Sequence, residues 1–329
     1  LGISRWAGRG GSYRSVQRFF HTPILWPILF WWFFRQHLYR PEEEYLLAGD
    51  EVVVTKAGQQ THGLDRFFSS LYGKPVPGLS FFALSLVSTR ERRSYPIRVE
   101  QVVRSETEKA ARKARADARK SRPPGEQRRP GRPKGSKNKN KAEVTLTPEL
   151  ARIKTMLESL QKLIAGFISL RYLALDGHFG NHHALTMVRQ SNLHLISRLR
   201  HDSALYLPYE GPYSGHGPCR KYGEKLDYHQ IPDRYLKQTS VKRQIETRVY
   251  QLQVLHKEFS QLLNVVIIVK TNLCTAARAH VNLFSSDLEL PYDRLIDYYS
   301  LRFQIEFNFR DAKQYWGLED FMNVTPTGV

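Results

Sequence analysis

Apolar residues recur along this chain in several distinct rhythms. Residues 45–56 (YLLAGDEVVVTK) and 80–88 (SFFALSLVS) are dense runs of β-branched, aliphatic and aromatic side chains that predict strands, the second apolar enough to be covered on both faces. At Thr147 the rhythm changes. A good N-cap is followed by Pro148 at the first helical position, then by Ile153, Leu157, Leu160, Ile164 and Phe167 in alternating steps of four and three, which predicts a core-facing amphipathic helix. Residues 170–175 and 194–199 predict two more strands around a helical segment near 184–190. Alternation returns in 240–254 (SVKRQIETRVYQLQV), as expected of exposed antiparallel strands. Residues 265–270 predict a return strand to the core and 292–313 one long helix. No internal repeat is visible. Together these elements predict an α/β fold, a mixed sheet with helices packed against it.

The most apolar stretch, residues 23–34, is 12 residues long, contains Pro27 and is flanked by Arg18 and Arg35. A membrane span needs about 20 apolar residues, so this stretch predicts a buried or docking helix and no membrane partner. No tripartite signal peptide precedes it, and the chain begins at Leu1 without a methionine, which reads as a fragment. The two cysteines, Cys219 and Cys274, are too few for a disulfide framework or a thiolate zinc site and point to a reducing, cytoplasmic compartment.

Charge sharpens the picture. Lys and Arg number 50 against 31 Asp and Glu, a formal +19 that favours a polyanionic partner such as nucleic acid. Between Arg104 and Lys141 stand 15 Lys and Arg against four acids. Within this insertion, Glu106–Lys120 (ETEKAARKARADARK) has the composition of an exposed helix, and 121–141 carries no apolar residue to bury, as expected of a flexible segment. Pro130, Gly131, Arg132 and Pro133, flanked by Arg129 and Lys134, resemble the core of an AT-hook that enters a narrow minor groove; a basic linker that binds any polyanion is the alternative.

Candidate chemistry concentrates late in the chain. On a helical wheel Tyr299, Arg302, Glu306 and Lys313 fall within about 60° of one another, beside an apolar face of Tyr298, Leu301, Ile305, Phe309 and Ala312. A carboxylate flanked by two cations and a phenol suits a site that holds a metal and a phosphate together, although solvated charges are the commoner use of such residues. Asp50 and Asp176 each end a short apolar run beside a glycine, at positions that face a sheet's rim or simply form turns. His178, His182 and His183 lack a partner cluster of Cys or His, so they are read as surface or DNA-proximal side chains rather than a zinc site.

Tyr299, Arg302, Glu306 and Lys313 reproduce the Y-x2-R-x3-E-x6-K pattern, and the surrounding YYSLRFQIEFNFRDAKQYWGLED resembles the third catalytic segment of the DDE transposases of bacterial insertion sequences, YREK subgroup. LLAGDEVVVTKAG resembles their first segment, with Glu51 directly after Asp50 as an alternative ligand, and LALDGHFGNHHAL their second. The resemblance spans about residues 40–320. It implies a ribonuclease-H-like core in pieces: a helical segment 1–40, core 41–103, the basic insertion 104–146, core 147–200, a β-rich insertion subdomain 201–262 and core 263–329. It further implies that Asp50, Asp176 and Glu306 are catalytic and bind Mg2+ or Mn2+, as two ions. Hard oxygen donors suit those metals rather than zinc. Tyr299, Arg302 and Lys313 would hold DNA phosphates, with Arg129, Arg132 and Lys134 as further DNA contacts. The implied function is cleavage at transposon ends and strand transfer, with a hairpin intermediate as one route, on double-stranded terminal-repeat and target DNA, by a homodimer on paired ends, associated with the nucleoid when bound. A catalytically inactive, transposase-derived DNA-binding protein is the alternative, and a junction nuclease on a similar core is a third that would lack the Tyr, Arg and Lys pattern.

Overall fold

The computed structural model describes residues 12–121, 144–213, 215, 217–320 and 324. Arg129, Arg132 and Lys134, with the rest of the AT-hook-like segment, lie outside the described residues.

Two short helices, α1 (Tyr13–His21) and α2 (Trp26–Phe33), precede the sheet. The stretch read as a buried or docking helix is buried on one side only: Trp31, and Phe34 just beyond α2, are buried, whereas Trp26, Ile28, Leu29 and Trp32 are exposed. Strand β1 (Tyr45–Thr55) runs antiparallel to β3 (Lys74–Ser88), which also pairs with β2 (Asp65–Ser69) and β4 (Ser94–Gln101) at the sheet's edge. The basic insertion contributes helix α3 (Glu106–Lys120), which begins with a capping box between Ser105 and Glu108. Helix α4 (Pro148–Ile164) starts where Thr147 accepts a hydrogen bond from the Leu150 amide. Strand β5 (Tyr172–Leu175), helix α5 (His182–Gln190) and strand β6 (His194–Leu199) follow. β5 and β6 lie parallel to β1, giving the order β4-β3-β1-β5-β6, three antiparallel strands joined to two parallel ones. This mixed α/β arrangement is ribonuclease-H-like.

The remaining strands are β7 (Leu205–Pro208), β8 (Tyr222–Lys225), β9 (Leu236–Lys242), β10 (Ile245–His256), β11 (Leu262–Asn272) and β12 (Arg278–Ser285). They continue the same sheet beyond β6 in the order β12-β11-β10, with β7, β8 and β9 beside β10. β9 is exposed from Lys237 to Lys242, as expected, whereas β10 is exposed only at Ile245, Arg248 and Gln253 and buries Val249, Tyr250, Leu252 and Val254.

Strand β1 carries apolar residues on both faces because both are covered. Tyr45 and Leu47 join a core with α2, α4 and α5 that includes Ile153, Leu157, Leu160, Leu185 and Val188. Leu46 and Ala48 join a second core on the opposite face with Tyr172, Ala174, Leu295, Tyr298 and Leu301, and Val52 and Val54 join a third against which Phe309 packs. Alternation along a strand therefore assigns even-numbered β1 residues to one helical layer and odd-numbered residues to the other.

The terminal helix departs from expectation. Residues 292–313 form two helices, α6 (Tyr292–Leu301) and α7 (Gln304–Tyr315), joined at Arg302 and Phe303. The backbone there tightens to bonds three residues apart: Arg302 to Tyr299 at 3.3 Å, Phe303 to Ser300 at 3.1 Å, Ile305 to Arg302 at 3.1 Å and Glu306 to Phe303 at 3.0 Å. Such a turn advances about 120° per residue rather than about 100°, so the uniform wheel does not hold across Arg302. The side chain at the joint, Arg302, is pinned to β1. Among the described residues no helix is long and apolar enough to cross a membrane.

Candidate active site

β5 ends at Leu175, opposite Gly49 of β1, so β1 loses its neighbour on that side from Asp50 onward. Asp50 and Asp176 are the next residues on the two strands, at the rim where the parallel pair opens. Both continue the even-numbered faces, Leu46 and Ala48 on β1 and Tyr172 and Ala174 on β5, and so share the layer of α6 and α7. Gly49 is required by packing: a Cβ there would stand 2.7 Å from Leu175 Cδ2 and 3.0 Å from Phe82 Cζ. Asp176 caps the turn that follows, accepting from the His178 amide at 2.9 Å, and its carbonyl accepts from Ser197 Oγ at 2.7 Å.

Glu51 faces the other way. It accepts a hydrogen bond from Ser80 Oγ, and its pKa is raised by burial of the carboxyl, with Glu149 adding to the rise. His178 Nε2 lies 3.4 Å from Glu149 Oε2, which raises the imidazole's pKa. The expectation that the three histidines are all superficial fails for His182, which is buried with its ring edge-on to Phe259 at 6.3 Å. Its place on the inward side of α5 decides this. Glu149, in the first turn of α4, carries no signal in the sequence beyond the preference of helix N-termini for acids.

From the facing layer, Arg302 donates to Asp50 Oδ2 and its other terminal nitrogen lies 3.7 Å from Glu306 Oε1. The Arg302 side chain is 15% exposed and its Nε is buried without a hydrogen-bond partner. Tyr299 is half-buried, with the Arg302 guanidinium 5.9 Å from its ring centre. Its pKa is raised by burial against the lowering fields of Arg302 and Arg198. Lys313 Nζ pairs with Glu319 Oε1 at 2.8 Å. The structure thus gathers Asp50, Asp176, Glu306, Arg302 and Lys313 on one cleft of about 1600 Å3, whose lining does not include Tyr299.

Electrostatics single out Asp50. Burial pushes its pKa up to about 6; Arg302 and the Glu51 amide pull it down, and Asp176 and Glu306 push it up. A buried carboxyl next to two others is a place where added positive charge is stabilising. Three carboxylates offer hard oxygen donors of the kind a divalent cation of the Mg2+ class requires, so the donor chemistry fits. The spacing is open: among the described residues no three His, Cys, Asp or Glu side chains stand together closely enough to enclose an ion, and Arg302 supplies the cation at Asp50.

Sequence reasoning missed the opposite wall of this cleft. α3 lies across it, with Arg104 Nη1 2.6 Å from Asp65 Oδ2, Arg112 Nη1 2.6 Å from the Arg66 carbonyl and Glu108 2.8 Å from Arg152 of α4. No curated protein matches this chain. The family model described as DDE superfamily endonuclease matches residues 1–257, a span that includes Asp50 and Asp176 and stops before Glu306. With more than three quarters of its length in that match, and with the sheet order and carboxylate rim described above, the chain belongs to the DDE superfamily endonucleases.

Proposed function

We propose that this chain is the catalytic core of a DNA transposase of the YREK subgroup, cleaving a phosphodiester at an element's end and joining the freed 3′ end to a target strand. The observation that carries the reading is that Asp50, Asp176 and Glu306 line one cleft, with Arg302 paired to both Asp50 and Glu306. Asp50, Asp176 and Glu306 would hold Mg2+ or Mn2+, which when bound supply the positive charge that activates the attacking oxygen and steadies the leaving one. Arg302 exchanges Asp50 for a substrate phosphate and, with Lys313, holds the strand by charge-assisted hydrogen bonds. Tyr299, beside the Arg302 guanidinium, would donate its hydroxyl to the same strand. Arg129, Arg132 and Lys134 add affinity through phosphate contacts without sharing in the chemistry. Double-stranded element ends and target are the substrates, a homodimer pairs the ends, and a hairpin is an available route for the second strand.

The test is a nicking and strand-transfer assay on DNA from the ends of the element that encodes the chain, in Mg2+ and in Mn2+. Asp50→Asn and Glu306→Gln should lose cleavage and keep gel-shift binding. Cleavage that survives Asp50→Asn overturns the assignment. A second reading, a DNA-binding protein that has given up its chemistry, draws support from the open spacing of the carboxylates and the Arg302–Asp50 pair. Mn2+ binding followed by paramagnetic resonance separates the two: binding that weakens in Glu306→Gln favours the enzyme, and no binding by wild type favours the second reading.

A further inference from the structure

The cleft has a second wall with no role in the chemistry proposed above. Its frame is the turn between β2 and β3 and the face of α3 that looks across the carboxylates. Phe67 and Phe68 point to opposite sides of β2: Phe67 is 2% exposed, with the Arg104 guanidinium 4.1 Å over its ring, whereas Phe68 is 63% exposed. At the turn, Leu71 is 84% and Tyr72 54% exposed, and all of these residues line the cleft. Clustered large apolar side chains at an edge hairpin are a liability unless something covers them. On α3 the cleft-facing residues include Thr107, Ala111 and Arg115, four apart and therefore on one side of the helix, the first two small and the last an exposed cation. None of the described side chains of α3 is buried, so the helix is not there to build a core.

We propose that this wall binds an unpaired nucleic-acid strand, with Phe68 and Tyr72 stacking on bases and Arg115 contacting the backbone. Aromatic rings interleaved with cations are what a single strand needs, because its base faces are free; a duplex hides those faces and leaves only phosphates to meet the wall. The small residues on α3 let the strand approach the helix closely. The placement follows from geometry. A strand lying here runs beside the carboxylate rim, so the wall takes the segment next to the cut, where the duplex has opened. The proposal rests on the transposase reading for the identity of the strand, but the wall's affinity for single-stranded DNA stands apart from any chemistry.

The experiment measures binding in EDTA, by fluorescence anisotropy, of a labelled oligothymidine of about 20 nucleotides and of a blunt hairpin duplex to the full chain. Phe68→Ala and Tyr72→Ala should each weaken oligothymidine binding about tenfold and leave duplex binding within about twofold. Tyr72→Phe, which keeps the ring, should bind oligothymidine like wild type. Arg115→Ala should lower the salt dependence of oligothymidine binding by about 0.7 in slope, as expected for one lost phosphate contact. Because Phe68 and Tyr72 are exposed, the fold is kept, and unchanged thermal melting checks that. Oligothymidine binding unaltered by Phe68→Ala together with Tyr72→Ala, or equal losses for oligothymidine and duplex, would overturn the proposal. Lost cleavage with intact oligothymidine binding bears on the catalytic reading alone; intact cleavage with unaltered oligothymidine binding sinks this proposal alone.

Discussion

Two strand carboxylates, Asp50 and Asp65, each meet an arginine, and they respond in opposite directions. Asp50 sits between two packed layers, and burial wins over Arg302, raising its pKa to about 6. Asp65, on the edge strand, is also opposed by burial, but hydrogen bonds from Arg104 and the Arg66 amide outweigh it and hold its pKa below the usual range. The contrast extends to the walls they belong to. The carboxylate wall is built on buried Leu46, Ala48, Tyr298 and Leu301, whereas α3 is held by Arg104, Arg112 and Arg152 pairing with Asp65, the Arg66 carbonyl and Glu108. Apolar burial fixes one side of the cleft, and charge fastens the other. The first is indifferent to salt, the second is not.

The comparison breaks most visibly in chemistry. Glu306→Gln is expected to reduce DNA cleavage by roughly a thousandfold or more while leaving melting temperature nearly unchanged, because Glu306 is partly exposed and contributes little packing. A single-turnover cleavage assay beside a thermal melt checks both halves. Next in size is the pH response. Asp50's folded pKa, about 6, lies above the 3.8 of a free aspartate, so the fold loses stability as pH rises through that window, by up to about 3 kcal/mol once both states are ionised. Denaturant midpoints from pH 4 to pH 7 should show this slope in wild type and lose it in Asp50→Asn; parallel curves would contradict it.

Gly49→Ala should destabilise by about 1 to 3 kcal/mol, since the added carbon must displace Leu175 and Phe82 in a filled core. Chemical denaturation reads it directly. The smallest effect belongs to the charged wall. Asp65→Asn should leave global stability almost unchanged but favour local opening of α3 by roughly 1 kcal/mol, seen as about fivefold faster hydrogen exchange across Glu106–Lys120. Added salt should mimic the substitution in wild type, and exchange indifferent to both would mean that α3 is held by something else.

How much of this could be read from the chain depends on range. Thr147 with Pro148 fixes the start of α4, and HLISRL is β6 to the residue, because both signals are local. β4 is hidden by Pro96 and by Arg98 and Glu100, which look like loop; it is a strand because β3 offers it an edge, across an irregularity between Leu84 and Ser85. The Asp50, Asp176 and Glu306 positions were legible as a pattern, but their meeting depends on Gly49 lying beside Leu175 and on the tightened turn at Arg302. Neither periodicity nor spacing contains that information. The wall of α3 was legible only as a helix, since its partners Asp65 and Arg66 lie some forty residues away in the sequence.

The Arg302–Asp50 pair joins residues 252 positions apart. Contacts of that span close last, and chains made from the amino end fold their early segments first. A ribosome that has delivered the first strands and α3 has supplied Asp50 and one wall of the cleft, yet Arg302 and Glu306 are still to come. One wall precedes the other during synthesis. A chain that stops before residue 302 leaves the Asp50 carboxyl without its arginine and the cleft without its third carboxylate, so a late truncation removes the site's charge partner along with its chemistry.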